Sequence, residues 1–438
     1  MTSLLQTFTN IRQKELMPTL VAGLFFFCIL TALMVVRPAR EALGMQRGID
    51  AIRWLFLATL LTTLLVNPVF GLLVSRFRRM TFIAATYAFF SLGLVGFYTL
   101  LTFAPTHIGI VSGQVFYVWF SVFNLFATML FWALMTDRFT KEQSERLFAA
   151  ISLGGTLGAM FGPWLAGMLA RPFGTPVLLL VAAGFLLCAI GAAWWLVHLH
   201  SDVILTDMNA VDIDAQDPDR TVIGGSAWEG FAAVARSPFL LGISAYVLIL
   251  AITATLLYFT RLQMVAALAL DTDTRTEAFA RIDLYTQAAT FVLQAFLTSH
   301  LIKRLGIAVT LALLPLTVAM GFIGLAVIGS LGALIAFEAS FRAIQRGVMR
   351  PARETLFTTI PRAERYKAKA FIDTFVYRGG DAIGSQTEGL LGRLGMGLAG
   401  LAWFAVPLAL LWMSLGLWLG YVQNKRAPSV GATTPTSL

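Results

Sequence analysis

The residues best suited to chemistry are four arginines on one hydrophobic stretch, Leu334–Thr358. Arg342, Arg346, Arg350 and Arg353 are spaced to lie within about 80° of one helical face, over roughly 16 Å of axis. A guanidinium group binds phosphate or carboxylate through two parallel hydrogen bonds. At membrane depth its charge is costly unless it is paired or faces water. The stretch therefore predicts a helix that lines a polar cavity and binds an anion.

The letters RPARE occur twice, as Arg37–Glu41 in the first hydrophobic segment and as Arg350–Glu354 in the late one. This repeat indicates that both helices face one central cavity, with Arg37 and Arg40 as further ligands of the anion. The alternative is that arginines near the helix ends extend to the membrane interface, as long basic side chains do. The acids nearby, which would pair with the arginines and act in coupling or gating, are Glu41, Glu338 and Glu354.

The composition is typical of an integral membrane protein. Of 438 residues, 58% are hydrophobic and 13% charged, and the mean hydropathy is +0.78. Windows of about 20 apolar residues predict an all-α fold of twelve transmembrane helices in two six-helix bundles. The predicted spans are 17–41, 51–75, 81–103, 108–136, 147–170, 175–198, 237–261, 278–302, 307–329, 331–357, 369–391 and 396–422.

The net charge of +9 comes largely from short loops between these spans. Positive-inside topology explains such loops better than nucleic-acid binding, and it predicts a multi-pass protein of a bacterial-type inner membrane with both termini cytoplasmic. The two cysteines lie in separate apolar runs, and the four histidines are scattered. We therefore expect no metal site and no other cofactor.

An aspartate-rich segment, Ser201–Ser226, interrupts the apolar pattern and predicts a solvated linker. We expect an N-terminal bundle over 1–200, a cytoplasmic linker with a surface helix over 201–236, a C-terminal bundle over 237–424 and a disordered tail over 425–438. Weak similarity between the halves is typical of transporters built from repeats, which bind substrate near the membrane midplane.

In twelve-span transporters of this kind the first, fourth, seventh and tenth spans usually line the cavity. The fourth offers Asn124, and the seventh offers Tyr258 and Arg261. Later spans carry acids that can neutralise the arginines of the tenth, and an ion-pair network of purely structural role is the alternative. These acidic candidates for coupling or gating are Asp283, Asp373 and Asp381.

The motifs of common enzyme classes are missing from the sequence. It contains no phosphate-binding loop, zinc-binding helix motif or nucleophile elbow, so an enzyme is not expected. The glycines of Ser152–Gly158 lie inside a predicted span rather than after a strand. They predict close packing between helices.

Several stretches resemble known families. The basic loop Gly71–Met80 is similar to the loop between spans two and three of the major facilitator superfamily. Motifs of the ATP/ADP translocase-type nucleotide antiporter family, a divergent branch of that fold, resemble Val36–Glu41, Leu130–Phe148, Arg350–Glu354 and Lys367–Ser385. The chain differs from this family at Asp381, where the family has a lysine. The resemblance implies exchange of nucleotides or another phosphorylated anion, with cationic positions at Arg37, Arg40, Arg353, Lys367 and Lys369.

We therefore expect a secondary transporter whose two bundles give alternating access to a midplane site. Its expected partners are the lipid bilayer and a small organic anion, such as a nucleotide, and its expected state is a monomer. One alternative is a proton-coupled exporter of amphiphilic compounds, in which the arginines only pair with nearby acids. Another is a flippase of a phosphate-bearing lipid, which a lateral opening towards the lipid would favour.

Overall fold

The computed structural model describes residues 11–76, 79–207, 227–268 and 271–426. Over these ranges the chain forms helices and no strands, as expected for membrane segments that must satisfy their backbone hydrogen bonds internally. We number the long helices α1 Leu16–Gly44, α2 Ile49–Arg76, α3 Arg79–Phe103, α4 Thr106–Arg138, α5 Lys141–Phe173, α6 Val177–Asp207, α7 Pro238–Leu268, α8 272–305, α9 Gly306–Ile328, α10 331–356, α11 362–393 and α12 Leu398–Arg426. The predicted all-α membrane fold with twelve long helices is confirmed.

Among the described residues, nine of these helices are long and apolar enough to cross a membrane. The other three are α8, α10 and α11, which carry many of the ionisable candidates. Both α10 and α11 contain a π-helical turn, at Gln345–Met349 and Ile372–Val376. Short 3₁₀ turns occur at Gln13–Glu15, Met45–Arg47 and Phe357–Thr359.

Several boundaries differ from the predicted ones. Helix α7 reaches Leu268 and α8 begins at Thr272, so both extend beyond their predicted apolar windows. Helix α6 runs to Asp207, into the predicted linker, and a linker helix spans Ala227–Arg236. Residues 208–226 and 427–438, where the rest of the linker and the tail were predicted, lie outside the described ranges.

Glycine separates α8 from α9. Gly306 has a φ of +68°, which side chains with a Cβ atom rarely adopt, and this residue interrupts the helical backbone. At the other end of α8, the Asp271 carboxylate accepts a hydrogen bond from the backbone N–H of Thr274 at 2.8 Å. This bond holds the pKa of Asp271 below its ordinary value.

The chain divides into two compact units. Unit 1 comprises Met1–Gln216 and Leu262–Ala288, and unit 2 comprises Asp217–Arg261 and Ala289–Leu438. Unit 1 therefore contains the end of α7 and the first part of α8 in addition to α1–α6.

Helix α1 lies at the centre of unit 1 and packs mainly against α5 and α6. Over residues 16–36 it is apolar on all sides, which is typical of a helix that is surrounded by protein. Its Phe25, Ile29 and Val36 are fully buried. The ring of Phe26 stacks on that of Phe131 in α4, with centroids 4.1 Å apart.

Glycines bring α5 into backbone contact with α1. A Cβ atom at Gly154 would lie 2.2 Å from the carbonyl oxygen of Gly23, and one at Gly158 would lie 2.4 Å from that of Phe27. The predicted packing role of these glycines is thus confirmed.

Because the obstructing atoms are backbone, substitution at Gly158 must push the two helices apart. We expect Gly158→Ala to lower the free energy of unfolding by about 1–3 kcal/mol. Thermal unfolding in detergent checks this value, with Gly191→Ala in α6 as the control because no atom lies within 4 Å of its added Cβ. Equal melting temperatures for the two variants would contradict the expected effect.

In unit 2, α11 also contacts a neighbouring helix closely through glycine residues. Its Gly380 and Gly384 lie against Ala251 and Ile252 of α7. This glycine-rich stretch therefore makes close helix contact at two positions. Helix α7 is also fixed to α9, because Tyr246 donates a hydrogen bond from its hydroxyl to the carbonyl oxygen of Leu311 at 2.7 Å.

Candidate functional site

In unit 1, the side chain of the candidate Arg40 is fixed by contacts with several residues. Its guanidinium lies over the ring of Tyr117, 3.6 Å from the centroid, and its Nε donates to the carbonyl oxygen of the same residue at 3.2 Å. The other nitrogens donate to Glu41 at 2.8 Å and to Ser121 at 3.3 Å. Arg40 thereby links α1 to α4, and the buried carboxylate of Glu41 compensates its charge.

The face of α4 that contacts Arg40 continues as a polar stripe. Tyr117, Ser121 and Asn124 follow at helical spacing, and Asn124 is exposed. Sequence reasoning selected Asn124 but missed Tyr117, because an aromatic residue in an apolar helix gives no sign that a cation lies on its ring.

Asp283 of α8 is fully buried in unit 1, and its Oδ2 lies 3.8 Å from the Nε of Arg37. A buried carboxylate of this kind is stable only beside a compensating cation. Arg37 retains 24% side-chain exposure. The structure thus pairs a predicted anion ligand with a predicted coupling residue.

A second network in unit 1 was not predicted. The backbone N–H and the hydroxyl of Thr175, at the turn between α5 and α6, donate to the carboxylate of Asp273 at 2.7 and 2.6 Å. The hydroxyl oxygens of Thr175 and Thr276 are 2.9 Å apart. Glu277 is 3.2 Å from Arg171 of α5 and 2.5 Å from Arg281 of α8. We call these six residues the α5–α8 latch.

In unit 2, one acid lies between two arginines. Glu338 of α10 is 3% exposed and its Oε2 accepts a hydrogen bond from Arg342 at 2.8 Å. The same oxygen is 3.8 Å from Nη1 of Arg261 in α7, whose side chain is 2% exposed. This cluster contains three predicted candidates. Tyr258, one turn before Arg261, is half-buried.

A second ion-pair cluster joins α10 to α11. The guanidinium of Arg353 is 3.0 Å from Asp373 and 3.4 Å from Glu354. Glu354 also accepts a hydrogen bond from Lys369 at 2.5 Å. The prediction that an aspartate of α11 neutralises an arginine of α10 is confirmed for Asp373.

The same prediction was wrong for Asp381. Its carboxylate lies 3.2 Å from Arg378, one turn earlier on α11 itself, and accepts a hydrogen bond from Thr255 of α7 at 3.2 Å. The described residues show no contact of Asp381 with an arginine of α10. The close approach of α11 to α7 at its glycines explains this, because it brings Asp381 to α7.

The prediction that all four arginines of α10 share one face was also wrong. Arg342 and Arg353 are largely buried in ion pairs, whereas Arg346 and Arg350 are exposed. The π-helical turn at Gln345–Met349 breaks the regular α-helical spacing on which the prediction rested. It adds one residue to the helix and rotates the following side chains by about 100°.

The interface alternative does not hold for Arg353 or Arg40. Their side chains are 8% and 15% exposed and are held by acids within the protein. The expectation that α1 and α10 face one cavity concerns both units and stays a prediction. Within the described residues, no group of three or more histidine, cysteine, aspartate or glutamate residues could hold a metal ion.

Comparison with known proteins identifies the family. The sequence model of the Major Facilitator Superfamily matches residues 19–385. The chain belongs to the Major Facilitator Superfamily. It is therefore a multi-pass membrane protein and a secondary active transporter in contact with the lipid bilayer, and not an enzyme.

Two solved transporter structures have the same fold. A POT family transporter in complex with a thioalcohol-conjugated peptide is 13% identical, with a TM-score of 0.59. A POT family transporter in complex with 5-aminolevulinic acid is 12% identical, with a TM-score of 0.58. Each alignment covers 93% of this chain and 96% of the other. No curated protein matches the sequence.

Proposed function

We propose that this transporter moves a small organic anion and that Arg346 and Arg350 bind it. The exposure of these two side chains carries the proposal, because the arginines on either side of them are buried in ion pairs. An exposed guanidinium on a membrane helix is costly unless it faces water or a charged ligand.

The charge balance of α10 supports an anionic cargo. The helix carries four arginines but only two acids, Glu338 and Glu354. Asp373 of α11 compensates Arg353, while Lys369 adds a further cation beside Glu354. Arg350 has no ion pair with any described residue. Binding of an anion would compensate the charge of Arg350.

The chemistry of guanidinium favours phosphate or carboxylate groups, which it binds through two hydrogen bonds. The resemblance to nucleotide antiporters puts nucleotides and other phosphorylated compounds first among these. Alternating access would follow if the anion binds one state of the transporter better than the other. The remaining candidate ligands are Arg37, Arg40, Asn124, Tyr258 and Arg261.

Removing both exposed arginines is expected to reduce anion uptake at least tenfold. Each hydrogen bond to a charged group contributes about 1.5–3 kcal/mol, and 1.4 kcal/mol corresponds to a factor of ten. We would first screen nucleotides, sugar phosphates and dicarboxylates for a rise in melting temperature. Uptake of the stabilising anion into proteoliposomes is then compared for wild type and Arg346→Gln/Arg350→Gln.

The matched control is Arg47→Gln/Arg393→Gln, which removes the same charge from two exposed residues next to other turns. We expect wild-type uptake from this control. Full uptake by the α10 double variant would refute the anion-site proposal. A hydrophobic cation as the transported compound would refute the anionic cargo itself.

A second candidate cargo is an amphiphile, such as a phosphate-bearing lipid. It is favoured by an apolar groove of about 1080 Å³ in unit 1, on the side of α4 opposite Tyr117. Competition between a long-chain phosphate ester and the small anion would support this candidate, and its absence would exclude it. The groove is lined by Leu55, Ala58, Thr62, Val66, Thr81, Phe82, Ala85, Thr86, Phe89, Phe90, Val111, Gln114, Val115, Val118, Trp119, Val122 and Phe126.

A further inference from the structure

Three exposed cations lie at one corner of unit 2, where α12 ends and α7 begins. The guanidinium of Arg426 lies over the ring of Phe239, 4.4 Å from its centroid. Lys425 lies 4.6 Å from the centroid of Tyr421. Arg236 ends the linker helix, three residues before Phe239. We call Arg236, Lys425 and Arg426 the cationic corner.

The end of α12 is held in place by hydrogen bonds to the end of α10 and to the 3₁₀ turn Phe357–Thr359 that follows it. The buried amide of Gln423 donates to the carbonyl oxygen of Thr355 at 2.9 Å and accepts from the hydroxyl of Thr359 at 3.1 Å. The buried ring of Phe239 supports Arg426 from the side of α7. Two of the three cations are therefore positioned by the fold rather than carried on a loose tail.

No carboxylate in the described part of the chain forms an ion pair with any of the three cations. Trp418 and Tyr421 precede them on α12 and remain 42% and 57% exposed. Their helical spacing places both rings on the same face as Lys425. Exposed tryptophan and tyrosine next to basic residues are typical of the level where a membrane helix meets the lipid headgroups.

We propose that the cationic corner binds the headgroup of an anionic phospholipid. The negative phosphodiester complements three cations that form no ion pair with a carboxylate of the described residues, and the two rings contact the glycerol and upper acyl region. Basic residues at a helix end next to the bilayer attract anionic lipids, and each adds roughly a fivefold preference. This site is independent of the transported cargo, because it involves none of the residues assigned to the anion.

The test is competitive lipid retention by the full-length chain. Purified protein is equilibrated with equal amounts of phosphatidylglycerol and phosphatidylcholine, and the bound lipids are identified by native mass spectrometry. We expect wild type to retain phosphatidylglycerol preferentially. In the variant Arg236→Gln/Lys425→Gln/Arg426→Gln, the ratio of retained phosphatidylglycerol to phosphatidylcholine should fall at least about tenfold. Because all three side chains are exposed, its melting temperature should match wild type.

The control is Lys14→Gln/Arg47→Gln/Arg393→Gln, which removes three exposed cations elsewhere. This variant should keep the preference for phosphatidylglycerol. Equal loss in both triple variants would mean that net charge alone attracts the lipid, and would overturn the site. An unchanged preference in the corner variant would overturn it as well.

Discussion

Replacing Glu338 with alanine is expected to destabilise the protein by about 3–5 kcal/mol. The carboxylate lies 2.8 Å from Arg342 and 3.8 Å from Arg261. In the variant, the guanidinium of Arg261 stays buried, with 2% side-chain exposure, but it no longer has the Glu338 carboxylate beside it. Removing one partner of a buried ion pair costs far more than the pair contributes on its own.

Thermal unfolding in detergent measures this effect. The triple variant Glu338→Leu/Arg261→Leu/Arg342→Leu serves as the diagnostic comparison, because apolar residues of similar volume often replace a buried ion-pair cluster at little cost. We expect it to recover most of the loss. Glu364→Ala, at an exposed acid of α11, should stay within about 0.5 kcal/mol of wild type. If Glu338→Ala unfolds like Glu364→Ala, the cluster does not stabilise unit 2.

The twelve helices could be predicted because the length of each apolar segment must match the thickness of the bilayer. A helix of about 20 apolar residues has the length of the hydrocarbon layer, so even modest patterns locate each span. The ends of α7 and α8 were missed for the same reason. The end of α7, residues 262–268, is apolar but lies beyond a window that is already long enough to span the bilayer. The start of α8 is polar, and it packs in unit 1, which an apolar window does not detect.

The ionisable candidates could be predicted only in part. Because Glu338, Arg353 and Asp373 lie on membrane helices, each was expected to have a partner of opposite charge. The structure pairs Glu338 with Arg342 and Arg353 with Asp373. The π-helical turn in α10 was not predictable, because such a turn depends on the packing of neighbouring helices. Asp273 and Thr175 were missed because 98 residues separate them along the chain.

Locking the α5–α8 latch with a disulfide is expected to abolish transport. Secondary active transport requires two six-helix halves to alternate between opposite openings of the site. By sequence, α8 belongs to the second half, yet its first turns are bonded to the α5–α6 turn of the first half. A cycle that moves the halves must therefore break and remake these bonds.

The change is Thr175→Cys/Thr276→Cys, in a background where Cys28 and Cys188 are replaced by alanine. The two native hydroxyl oxygens are 2.9 Å apart, so the introduced sulfur atoms are close enough to form a bond. Uptake into proteoliposomes should fall to background after oxidation and return after reduction. Each single cysteine variant should transport under both conditions.

The decisive comparison is a crosslink that stays inside one half. In Ser91→Cys/Ala183→Cys, α3 is joined to α6 at a position where the native serine hydroxyl already contacts the facing backbone at 3.2 Å. Because both helices belong to the first half, this disulfide should not inhibit transport. Transport that continues with the latch oxidised would mean that this contact persists through the whole cycle. Inhibition by both crosslinks would instead show that general stiffening of the helices, and not the latch, stops the transporter.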